Sequence, residues 1–124
     1  MLKAKLKENK NVILGTWLTL PSTAIAEIMA RAGFEWITVD MEHSCLTMRE
    51  MEELIRVVDL SGKAPLVRLP SNDEIMIKRV MDAGAHGIII PMVKNKADVE
   101  KAYKSMQYPT EGFRGVGLAR AQKY

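Results

Sequence analysis

The chain lacks most of the features that mark out special classes of protein. It has one cysteine, Cys45, in 124 residues, so its own thiols cannot build a disulfide scaffold, and a reduced thiol in the cytoplasm is expected. No apolar run approaches the roughly 20 residues that cross a bilayer as a helix. The opening stretch MLKAKLKENKN is basic but lacks the apolar core and small-residue cleavage site of a secretory signal. There is no GxGxxG after a strand, no GxxxxGK[ST] and no His/Cys set with zinc spacing, which leaves nucleotide and zinc sites unsupported. Charge of one sign is scarce too: 18 Lys+Arg face 15 Asp+Glu, a net +3. Lys3, Lys5, Lys7 and Lys10 against Glu8 already supply that +3, so residues 11–124 sum to zero. A nucleic-acid partner needs clustered basic residues over the folded body, and none is encoded.

What is present is an ordinary globular composition, 48% hydrophobic and 27% charged, too apolar for a disordered chain and too short for two domains. Residues 1–10 read as a basic leader, helical or frayed, with a solvated face. From residue 11 onward, short apolar runs alternate with segments of helical period. The runs are 13–20, 36–40, 65–69 and 87–93. Each is mostly continuous, as expected of parallel strands covered on both faces. A helix start follows each: Ser22, the Thr47/Glu50 capping box, a second box at Ser71/Glu74, and Asn95 with Asp98. Gly33, Gly62 and Gly84 fall where three of these helices must turn back, the position that favours a left-handed glycine. Pro109 stops the fourth.

The order is therefore (βα) four times, an α/β class with parallel strands and right-handed crossovers. Strand midpoints roughly 22 to 29 residues apart match the unit of a (β/α)8 barrel of about 250 residues. The predicted fold is a (β/α)4 half of such a barrel over residues 11–124, truncated where a fifth unit would begin. A complete doubly wound, flavodoxin-like domain is the competing architecture, and it would bind its ligand at a strand-end crevice. A half-barrel also leaves apolar edges and faces, so a non-catalytic binding or assembly module is the alternative function.

In parallel α/β folds chemistry gathers at the C-terminal strand ends. The second such end, Asp40-Met-Glu-His-Ser44, puts two carboxylates, an imidazole and a hydroxyl into five residues, costly to bury unless they pair with one another or a ligand. An aspartate there is expected to orient His43 as a general base. Arg68 ends the neighbouring strand, where its fork of donors suits a carboxylate or a developing enolate. The plainer alternatives are that Arg68 only neutralises Asp40 or Glu42 and that His43 is a surface or capping residue. His86 lies at the start of a strand, on the stability face. Cys45 reads as a small apolar residue. Methionines such as Met29, Met51 and Met81 read as core filler, while Met41 and Met92 stand at strand ends. The loop at 110–124 carries Gly115-Val-Gly117, whose backbone N–H groups are candidates for an anion, a weak signal taken alone.

The strings Gly15-Thr-Trp-Leu18, Val39-Asp-Met-Glu-His-Ser44, Pro65-Leu-Val-Arg-Leu-Pro70, residues 77–87, Pro91-Met-Val93 and Gly112-Phe-Arg-Gly-Val-Gly117 together resemble the HpcH/HpaI family of class II pyruvate aldolases. The resemblance runs from about Asn11 across nearly the whole chain and implies its N-terminal half only. It implies a carbon–carbon lyase that reversibly cleaves 4-hydroxy-2-oxo acids, including 2-dehydro-3-deoxy sugar acids, to pyruvate and an aldehyde. It gives His43 the role of base, Asp40 that of its orienting partner and Arg68 that of enolate stabiliser, with Glu42, Ser44 and Gly117 toward substrate. It also implies a divalent metal (Mg2+, Mn2+ or Co2+), with a Glu and an Asp from later strands as ligands beyond Tyr124 and none within this chain. The 124-residue chain is accordingly expected to carry half a site and to be inactive alone. Its expected partners are a homo-oligomer or a complementary barrel half, with no nucleic acid and no membrane.

Overall fold

A computed structural model describes residues 2–8 and 11–124. A leader helix α1 (Leu2–Glu8) precedes four strand–helix units. These are β1 (Gly15–Leu18) with α2 (Thr23–Arg31), β2 (Trp36–Asp40) with α3 (Met48–Leu60), β3 (Ala64–Arg68) with α4 (Glu74–Asp82), and β4 (Gly87–Ile89) with α5 (Lys96–Met106). A short 3-10 turn, Arg120–Gln122, follows. The leader is helical, as one of the two expected forms, and Lys5 ties it to Glu35 at 2.6 Å; Lys10 lies outside the described residues. No helix among the described residues is long and apolar enough to cross a membrane.

The strands form one parallel sheet in the order β1-β2-β3-β4. Sequential order decides between the two architectures. Right-handed crossovers that always step the same way keep every helix on one face, whereas a doubly wound sheet must reverse direction. The chain is a (β/α)4 unit of the barrel type. Ile37, Val39, Val67 and Leu69 are fully buried against the helices, where α3 adds Met51, Leu54, Ile55 and Val58 on one stripe. The runs that read as uniformly apolar therefore split by residue parity. The face away from the helices carries Trp17, Thr38, Asp40, Leu66 and Arg68, with Trp17 level with Thr38 and Asp40 level with Arg68.

Ser22, Thr47 and Asn95 cap their helices as predicted, and Thr47 with Glu50 completes the reciprocal box. The third cap is a correction. Asp73, not Ser71, caps α4, its carboxylate accepting from the Met76 N–H at 2.8 Å. The helix begins at Glu74, and the capping residue must directly precede it. Gly33, Gly62 and Gly84 adopt φ of 95°, 75° and 102° just past α2, α3 and α4, the left-handed turn that returns each helix to the sheet. Gly15 is required for another reason: a Cβ there would meet the Trp36 ring at 1.8 Å. Replacing Thr47 by alanine removes one half of the capping box and is expected to cost about 1 kcal/mol, read from urea unfolding; an unchanged midpoint would show that α3 is held by its apolar stripe alone.

Candidate active site

Asp40 and Arg68 close β2 and β3 side by side. Asp40 is 3% exposed, and a carboxylate so deep needs donors on both oxygens. Arg68 provides them as a fork, Nε to Oδ1 at 2.9 Å and Nη2 to Oδ2 at 2.5 Å. The backbone N–H groups of Glu42 and His43 also donate to Oδ1, at 3.0 and 3.2 Å. The hydrogen bonds from Arg68 outweigh burial and, with those two amides, hold the Asp40 carboxyl down at about 2. The same pairing pushes the Arg68 guanidinium further toward its charged form. Glu42 adds a contact at 3.3 Å to Arg68 Nε, and the guanidinium carbon stands 4.6 Å from the centroid of the Trp17 ring, a cation–π arrangement.

A guanidinium has five N–H donors. Nε and one N–H of Nη2 are engaged, which leaves three without a partner among the described residues. Arg68 therefore neutralises Asp40 and still has donors for an incoming carboxylate or enolate, combining the two readings the sequence left open.

His43 sits on the same rim, three residues beyond Asp40, but Asp40 does not orient its ring as expected. Both Asp40 oxygens are taken by Arg68 and by backbone amides. The carboxylate facing the imidazole is Glu42, at 3.7 Å from Nε2, and the His43 side chain is 70% exposed. The physical reason is competition. A guanidinium fork across the adjacent strand end satisfies a buried carboxylate better than an imidazole on a turn that leads outward. Ser44 is turned inward, its hydroxyl donating to the Asp40 carbonyl and accepting from the Leu46 N–H at 3.2 Å, so it closes the turn that presents His43.

Gly117 is placed away from this cluster. Arg114 pairs with Asp82 at 2.6 Å, and Arg120 bonds Asp59 and lies against Gly84. Those partners stand at the C-terminal ends of α3 and α4, the rim where strands begin, and Gly117 is three residues from each arginine. The Gly-x-Gly loop is thus part of a strap across the opposite end, where His86 also pairs with Asp59 at 3.1 Å. Trp17 is the residue the motif reading missed. Parity along β1 puts it on one face with Gly15, and only the register brings that face level with Thr38 and Arg68. Among the described residues no group of three or more His, Cys, Asp or Glu side chains could hold a metal ion. The two carboxylates beside Arg68, Asp40 and Glu42, are engaged by it, so the donor set at this cluster does not fit a metal centre.

The family model for HpcH/HpaI aldolase/citrate lyase matches residues 14–123. The chain is 36% identical over 112 residues to a 2-dehydro-3,6-dideoxy-6-sulfogluconate aldolase of Pseudomonas putida, covering 90% of this chain and 44% of that protein. It is 36% identical over 110 residues to a 5-keto-4-deoxy-D-glucarate aldolase of Escherichia coli O139:H28 (strain E24377A / ETEC), covering 89% and 43%. Among solved structures, an HpcH/HpaI aldolase from Desulfitobacterium hafniense DCB-2 superposes with a TM-score of 0.90 at 36% identity, over 98% of this chain and 47% of that one. The chain spans less than half the length of the curated relatives it matches.

Proposed function

Because the chain belongs to the HpcH/HpaI aldolase/citrate lyase family, we propose that its strand-end cluster handles the pyruvyl half of a 4-hydroxy-2-oxo acid, cleaved reversibly to pyruvate and an aldehyde. The observation that carries this is the Arg68 guanidinium, fixed by Asp40 from one side and the Trp17 ring from another, with three donors left over. In the cleavage direction His43, directly or through a water, takes the proton of the C4 hydroxyl. The C3–C4 bond breaks, its electron pair passes toward the C2 oxygen, and the aldehyde departs. Arg68 stabilises the enolate so formed with a charge it cannot lose. Proton return to C3 completes pyruvate. Asp40 acts one step removed, holding Arg68 in place.

Sugar acids are the substrate class favoured here. The names of both relatives specify them, and each named compound carries a second acidic group besides its 2-oxo acid end: a sulfonate in the sulfogluconate, a carboxylate in the glucarate. A divalent metal, Mg2+, Mn2+ or Co2+, would supply Lewis-acid stabilisation of the enolate; its ligands are proposed to come from outside this chain. The free edges of β1 and β4 suit a complementary set of strands or a second copy as partner.

Two assays test the proposal. Joined to the C-terminal portion of the Pseudomonas putida relative, the chain is expected to release pyruvate from a 4-hydroxy-2-oxo acid with Mg2+ or Mn2+, while the 124-residue chain alone does not. In that fusion His43→Asn is expected to lower turnover by roughly two to four orders of magnitude, with stability within about 0.5 kcal/mol of the parent because the ring is exposed. A well-folded but silent fusion, or full activity without His43, would refute the assignment. Turnover by the 124-residue chain would show that four strands suffice.

A further inference from the structure

An open cavity of mixed polar and apolar lining lies on the catalytic rim, between the β3–α4 and β4–α5 loops. It measures about 310 Å3 and is lined by Ser71, Asn72, Met92, Lys94 and Asp98 together with two prolines. Leu69 donates to the Ile89 carbonyl at 3.0 Å, so the two loops leave the sheet side by side. Ser71 is three residues from Arg68, at most about 11 Å along an extended chain, a distance of the order of a six-carbon acid.

Its lining is built for an acidic, hydroxyl-bearing group. Asn72 Nδ2 donates to the Asp98 carbonyl at 2.8 Å, which fixes the amide orientation and leaves Oδ1 a buried acceptor with no donor among the described residues. That oxygen is shielded from the cavity, so Asn72 shapes the wall rather than meeting a ligand. The Lys94 ammonium has no ion-pair partner among the described residues, and the Lys101 ammonium stands behind the wall, bonded to the Asn72 carbonyl at 2.8 Å. The one carboxylate, Asp98, is turned to the backbone, its Oδ2 accepting from the Lys94 N–H at 3.0 Å. The cavity lining thus holds one ammonium, Lys94, and one carboxylate that is already engaged.

We propose that this cavity is the subsite for the distal acidic end of the substrate, with Lys94 its counter-charge and Ser71 reading a hydroxyl. The inference rests on the sugar-acid reading above and names the residues that would select for it. Nitrogen-15 NMR titration of the 124-residue chain separates the two. Oxalate, as an enolate mimic, is expected to shift the amides of residues 40–44 and the Arg68 side chain. The probes 2,3-dihydroxypropane-1-sulfonate and glycerate are expected to shift Ser71, Asn72 and Lys94, and neutral glycerol is not. Lys94→Met should weaken the two acidic probes on the order of tenfold, Lys94→Arg should retain them, and both variants should leave oxalate unchanged. Equal response to glycerol, or no change in Lys94→Met, overturns the subsite while the oxalate shifts still stand. Absence of the oxalate shifts overturns the Arg68 enolate site, and the fusion assay above decides the aldolase reading.

Discussion

Replacing Arg68 by methionine is expected to abolish oxalate binding and to raise the Asp40 carboxyl well above about 2. Both effects follow from one guanidinium serving two anions. Its hydrogen bonds to Asp40 are the largest cause of that low value, and burial is the opposing one. Removing the arginine leaves burial acting on a carboxylate 3% exposed, with only the two backbone amides in its favour. A ligand carboxylate would at the same time lose charge-assisted donors, a loss on the order of a hundredfold in affinity for two such bonds. Carbon-13 titration of the Asp40 carboxyl reads the first effect and calorimetry with oxalate the second. Arg68→Lys restores charge without the fork, so it should recover part of the Asp40 shift and little of the binding. If the methionine variant still binds oxalate at wild-type affinity, the enolate lies elsewhere and the proposed chemistry fails with it.

The acid side of the stability curve should carry the signature of the same pair. Asp40 falls from an ordinary 3.8 to about 2 in the folded chain. A carboxyl whose folded value is depressed stabilises above its unfolded value and loses that contribution as pH falls through the folded one. The window therefore runs from about pH 4 down to about pH 2, and the contribution at neutral pH is about 2 kcal/mol. Asp40→Asn removes it. Unfolding by urea at pH 7 should show the variant less stable by at least that amount, with the gap closing as pH approaches 2. A gap that stays constant with pH would mean that shape rather than charge holds the two strand ends together.

These two residues also show how far the sequence reaches. Asp40 and Arg68 were legible as site residues because charged side chains at the ends of apolar runs are conspicuous, and because parallel sheets expose those ends. Their mutual commitment was not legible. Which of His43 and Arg68 wins the Asp40 carboxylate depends on register, and Asp40 stands level with Arg68 only once β2 and β3 are paired. Trp17 escaped for a related reason, since its role appears only when three strands are placed in order. The rim of the Gly117 loop was not legible, because a Gly-x-Gly string specifies a backbone that can turn, not the rim on which the turn lies. Arg114 and Arg120 settle that rim through Asp82 and Asp59, 32 and 61 residues earlier in the chain.

By itself the sequence determined the alternation of strand and helix, three of the four strand-linked helix caps and the left-handed glycines, because these depend on neighbours within a few residues. It also determined the family, because motifs in fixed order carry that information. Tertiary structure alone decided what each charge is paired with, which end of the sheet a loop covers, and which apolar-looking positions line the catalytic face. Those outcomes depend on distances between residues far apart in sequence, and they exist only after the sheet has set its order and register.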